Sequence, residues 1–131
     1  MDVEIDPKPL VRKGNRAVRI TAKAKRLWDG FSDDRASGAK DQILRRMEHY
    51  LDNDDLMSRA HFRKVLRLKP PVFEFKGDQI RAWGVKYDEG FLVIHVGRKK
   101  QNKISKNDIR VIKQRHRELF ECLDNKGLFT L

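Results

Sequence analysis

The stretch VFEFKGDQIRAWGVKYDEGFLVIHVG, from Val72 to Gly97, limits the possible folds more than any other part of the chain. It opens in alternation, with Phe73 and Phe75 on one face of an extended strand and Glu74 and Lys76 on the other. Gly77 and Asp78 have the composition of a two-residue hairpin turn, glycine supplying the positive φ. QIRAWGVKY reads as a second strand, and Asp88 to Gly90 as a three-residue hairpin connection. FLVIHVG is apolar almost throughout, the pattern of a strand at the centre of a sheet. Strands joined by two tight turns form an antiparallel meander, whose apolar face must be covered by another layer.

The remaining segments supply that layer. Asn15 to Ile20 alternate weakly, as in a short strand, and Thr21 is placed to cap a helix that passes Leu27 and Trp28 and stops at Gly30. FSDDRASG reads as a loop. Ala39, Ile43, Met47, Tyr50 and Leu51 recur at helical spacing, and DNDD ends that helix. LMSRAHFRKVLRLK is ambiguous, and a short helix leading into a strand fits it. Beyond the meander, Ser105 caps a last helix with Asp108 three residues on, and Ile109, Ile112, Leu119 and Leu123 form its buried stripe. The expected order is β-α-α-β-β-β-α. The class is α+β, a small twisted antiparallel sheet with helices packed on one face. Residues 1–14 read as an N-terminal arm, 15–124 as one domain and 125–131 as a tail.

A chain of 131 residues with 39% apolar residues can build one ordinary core, despite 37% charged residues. No apolar run reaches the roughly 20 residues that span a bilayer, and Asp2, Glu4 and Asp6 are unlike a signal peptide. A soluble, cytoplasmic protein without membrane contact is the expectation. Cys122 is the single cysteine, which excludes an internal disulfide and a multi-cysteine zinc site. It is expected to be a small core residue, as Trp28 and Trp83 are expected to be large ones.

The net charge of +11 is regional. Residues 1–58 hold 12 Lys and Arg against 11 acids, whereas residues 59–117 hold 17 against 5. One cationic half is the footprint of a phosphate-backbone binder; a membrane surface or an acidic protein would also accept it. Within the meander, Lys76 at the first turn, Arg81 on the middle strand and Arg98, Lys99 and Lys100 after the last strand are expected to converge, since adjacent strands lie about 4.8 Å apart. Arg63, Lys64, Arg67 and Lys69 widen this surface, and Lys103 continues it. Guanidinium groups bind phosphate bidentately, and lysines act as point charges. His95 is a candidate proton carrier, with a hydrogen-bonded core histidine as its alternative; His116 is a weaker candidate. Glu74 can serve Arg81 as a structural ion pair or act as a base.

VFEFKG, IRA and VIHVGRKKQNKIS, in this order and spacing, resemble the RelE/ParE superfamily of bacterial toxins, and most closely its HigB-type and phage-derived RelE-like branch. There a φxELR strand, a φR strand and a strand ending in HxFxKK precede a basic helix. The resemblance covers about 45 residues well. It implies a toxin held inactive by a small helix-turn-helix antitoxin. It also implies metal- and cofactor-independent cleavage of mRNA at the ribosome, through attack of a ribose 2′-OH on the adjacent phosphate. On this reading Arg81, Arg98, Lys100 and His95 are catalytic, and Lys76, Lys99, Lys103, Arg67 and Lys69 bind RNA. The sequence departs from cleaving members in having Ile104 where an aromatic or histidine is common. A non-cleaving RNA-binding module and a ParE-like inhibitor of DNA gyrase are the alternatives.

Overall fold

The computed structural model describes residues 3–53, 57–88, 90–99 and 103–126, with side chains through 121. The elements are β1 (Val11–Lys13), β2 (Arg16–Ile20), α1 (Ala22–Gly30), α2 (Asp34–Asn53), β3 (Phe62–Leu66), β4 (Val72–Lys76), β5 (Ile80–Tyr87), β6 (Gly90–Arg98) and α3 (Lys106–Lys126). The fold is α+β, as expected. Its six-stranded sheet has the order β1-β2-β6-β5-β4-β3. No helix among the described residues is long and apolar enough to cross a membrane.

Three expectations about the architecture are corrected. The order contains two further strands, β1 within the segment read as an arm and β3 within the ambiguous stretch. The sheet is mixed, because β2 pairs with β6 in parallel, Ala17 opposite Gly90 and Ile20 opposite Val93. The second correction follows from the first. From β3 to β6 the chain reverses three times, which sets β6 opposite to β3. A meander starting at β4 would reverse twice and leave β6 opposed to β2 for the same helical connection.

The third correction is that helices cover both faces. On one side α1 and α2 bury Trp28, Ile43, Met47 and Tyr50 against Ile20, Phe75, Phe91 and Val93. On the other, Ile112 and Leu119 of α3 pack on Val72, Trp83, Val85, Leu92 and Ile94. A strand apolar on both faces requires this, since each exposed face would forfeit about 25 cal/mol per Å². Every residue of β6 except Arg98 is buried. Tyr50 organises the first layer. Its ring lies 5.0, 5.6 and 5.8 Å from those of Phe62, Phe75 and Phe91, and its hydroxyl donates to Gly90 O at 3.0 Å.

Local signals explain the helix ends. Thr21 caps α1 by accepting from Ala24 N at 3.2 Å. Helix α2 begins earlier than its apolar period implies because Asp33 accepts from Ala36 N at 2.9 Å, which converts the expected loop into a capped first turn. Ser105 Oγ accepts from Asp108 N at 3.0 Å and donates to Asp108 Oδ2 at 2.8 Å, starting α3. The β4–β5 turn has its positive φ at Gln79 (63°), not at Gly77. Gly77 serves close packing instead, since a Cβ there would stand 2.6 Å from Ala39 O.

Candidate nucleic-acid interface

A bulge in β6 decides which side chains share a face. Trp83 pairs with His95 while Gly84 pairs with Val93, so Ile94 is the extra residue. Ile94 joins the α3-side core, and His95 lies on the same side, stacked on Trp83 at 5.5 Å and 17°. Gly97 and Lys99 follow His95 on that face. Arg98 is turned to the other.

Glu74 is the hub of the α3 side. It faces Trp83 on β5 and Arg63 on β3 in register, and is 1% exposed. Its Oε1 accepts from Trp83 Nε1 at 2.9 Å and from Lys99 Nζ at 3.4 Å, and its Oε2 accepts from Arg63 Nε at 3.2 Å. Arg81 lies in the same field and is itself buried. Its guanidinium donates to Gly77 O at 2.5 Å and Ile80 O at 3.0 Å, while its Nε is buried without a hydrogen-bond partner among the described residues.

The electrostatics show a surplus of cations. Burial pushes the Arg81 pKa below its usual value, Glu74 opposes the shift, and Arg63 and Arg46 add to it. Burial likewise lowers the Lys99 pKa, Glu74 opposes the shift, and Arg81 and Arg63 add to it. Among the described residues, the buried carboxylate of Glu74 acts on three cationic side chains, with Asp78 acting more weakly on Arg81. In a low-dielectric setting, charge left unbalanced in this way favours an anion.

His95 is 7% exposed, and its Nε2 lies 2.9 Å from Asp108 Oδ1. A carboxylate at Asp108 accepts Nε2–H and leaves Nδ1 as the basic nitrogen. The absent side chain at Gly97 makes room for this pair, because a Cβ there would stand 3.1 Å from both Asp108 Oδ1 and the Trp83 ring. His95 also lines a cavity of about 360 Å³ between α1 and α3, with Lys23, Arg26, Leu27 and Arg115. Burial lowers its pKa, Asp108 partly restores it, and Arg115 lowers it further.

With the folded-state value below the ordinary 6.5, the unfolded chain binds the proton first as pH falls. The stability that His95 contributes is complete above 6.5 and is lost as pH drops through the lowered value. Urea titrations between pH 8 and pH 5 are expected to show a smaller acid loss in His95→Gln than in wild type. Parallel curves would refute this.

The other residues named from sequence are dispersed. Arg98 donates to Asp33 Oδ2 at 2.6 Å and lies 5.2 Å over Phe31, so it does not converge with Arg81 as expected. Lys76 stands opposite Arg81 across the β4–β5 pair. Arg67, Lys69 and Lys103 are exposed outside the strands and helices. Lys100 and the side chains of Cys122 and Leu123 lie outside the described residues. His116 is buried with its Nε2 2.8 Å from Pro70 O, a structural bond. Glu74 as a shared acceptor was the element least visible in sequence; its one signal is an acid between two phenylalanines on a strand flanked by cations. No family model matches the chain, and no curated protein matches it in sequence.

Proposed function

We propose that this chain is a RelE/HigB-like toxin that engages mRNA at the ribosome through the Glu74 cluster, cleaves it without metal or cofactor, and is restrained by a small helix-turn-helix antitoxin. The observation that carries the reading is the gathering of Arg63, Arg81 and Lys99 about one buried carboxylate. Guanidinium groups at this position suit a phosphodiester in transesterification. The ribose 2′-oxygen bonds to phosphorus, the bond to the 5′-oxygen breaks, a base accepts the 2′-OH proton, and an acid protonates the leaving oxygen. The cations stabilise charge growing on the phosphate oxygens. His95, with Nδ1 basic and Asp108 behind it, is the proton carrier of this scheme.

A second reading, an RNA-binding module that does not cleave, is favoured by the burial of His95. Primer extension on a defined mRNA, with and without translating ribosomes, separates the two. Under the first reading, ribosome-dependent cuts in wild type fall about 100-fold in Arg63→Ala, the loss typical of one oxyanion donor, and vanish in Arg81→Ala. RNA binding with no cuts under either condition establishes the second. Absence of both binding and cutting refutes the nucleic-acid assignment.

A further inference from the structure

We propose that a pocket between α2 and the turn before β3 is a second phosphate site, which holds a further backbone phosphate of the same RNA strand. The polyanion's identity rests on the reading above; the anion chemistry does not. Gln42, Arg45, Arg46 and His49 fall at i, i+3, i+4 and i+7, one face of α2. With Met57, Ser58 and His61 they line a cavity of about 490 Å³, within the size range of small-ligand sites. Among the described residues, every ionisable side chain lining it is an arginine or a histidine. The nearby α2 acids do not line it, and Asp52 is occupied by Lys13. Among the described residues neither arginine has an ion-pair partner.

The pocket joins the Glu74 cluster directly. The Arg46 guanidinium donates to Lys76 O, Lys76 N donates to His61 O at 2.9 Å, and Lys76 stands opposite Arg81. Arg46 acts electrostatically on both Arg81 and His61. A cationic path thus runs from Arg45 and His49 over the edge of the sheet to Arg81 and Arg63. Two guanidinium groups suit the bidentate recognition of one phosphate, and a protonated imidazole adds a donor. Burial, Arg46, His49 and Lys76 all lower the His61 pKa. A bound anion reverses that balance, so binding strengthens as pH falls through the histidine range.

The test uses the full chain, a ten-nucleotide single-stranded RNA and, separately, inorganic phosphate. Proton NMR follows the His49 and His61 C2–H signals, and anisotropy gives RNA affinity at two salt concentrations. RNA is expected to shift both signals and raise the His61 pKa. Arg45→Ala is expected to weaken RNA binding about tenfold and to reduce the salt slope by about 0.7, one single-strand phosphate contact. His61→Ala has its effect at pH 6 and loses it by pH 8. Arg46 is left intact because it supports the Lys76 carbonyl. RNA that binds without disturbing either histidine, or unchanged affinity in both variants, overturns the strand assignment. Histidines that respond to neither probe overturn the pocket. If wild type binds no RNA yet phosphate shifts both histidines, the pocket stands and the RNA reading fails.

Discussion

Glu74→Gln is expected to lower the unfolding free energy by about 3–5 kcal/mol, the cost of removing one member of a buried charge assembly. The substitution keeps the shape of the side chain, and the amide oxygen can still accept from Trp83 Nε1, so packing is not the cause. What is lost is the counter-charge for the Lys99 ammonium, whose side chain is 4% exposed, and for the Arg81 guanidinium beside it. Arg63, with a side chain 44% exposed, contributes little because water screens it. Urea unfolding measures the change, and adding Lys99→Met should restore part of it by removing the stranded charge.

Alkaline pH gives an independent check. A lysine whose folded-state pKa lies below its ordinary 10.5 sheds its proton in the folded state first, so stability rises with pH between the two values. Without Glu74 that window widens, and the variant should regain ground on wild type as pH approaches 10. On the proposed function, RNA affinity rises in the same variant, since the competing carboxylate is gone. A stability loss below about 1 kcal/mol would mean that the cluster is not a coupled charge assembly.

Gly84→Ala is expected to cost about 3 kcal/mol, the upper end of ordinary overpacking. An added Cβ would collide with Leu92 O and lie 2.6 Å from Phe91 Cε1. The first is backbone in the central β5–β6 pair, bounded by helices on both faces, so neither strand can withdraw. Gly38→Ala provides the contrast. Gly38 is interior to α2, and a Cβ there would meet no atom within 4 Å, so the change should stabilise by about 0.5–1 kcal/mol. Parallel denaturant titrations that give the two variants the same sign would refute the packing argument.

The meander was legible because its pattern is local: Phe73, Glu74, Phe75 and Lys76 alternate, and turn residues separate the strands. The caps at Thr21 and Ser105 were legible for the same reason. Val11–Lys13 was not legible as a strand, since three residues carry no period, and Phe62–Leu66 was ambiguous, since FRKVL mixes charge with apolar side chains. An element order without β3 gives the wrong direction for β6 relative to β2. The nearly continuous apolar run from Phe91 to Val96, broken only at His95, already calls for cover on both faces.

The site was harder to read. One bulge at Ile94 reverses the facing of everything after it, placing His95 and Lys99 with Arg81 and sending Arg98 away. Nothing in VIHVGRKK marks the extra residue. Glu74 was visible as a potential partner of Arg81, yet its principal bonds go to Arg63, Trp83 and Lys99, which come from three other segments.

The parallel pairing of β2 with β6 also bears on how the chain is made. Ala17 is translated before its partner Gly90, which follows only after α1, α2 and three strands. Until then Val18 and Ile20 have no strand beside them on that side, and the hairpin of β1 and β2 can pack only against α1 and α2. Such non-local pairing closes slowly. On this side of the sheet, β2 is synthesised long before the strand that fixes it in place.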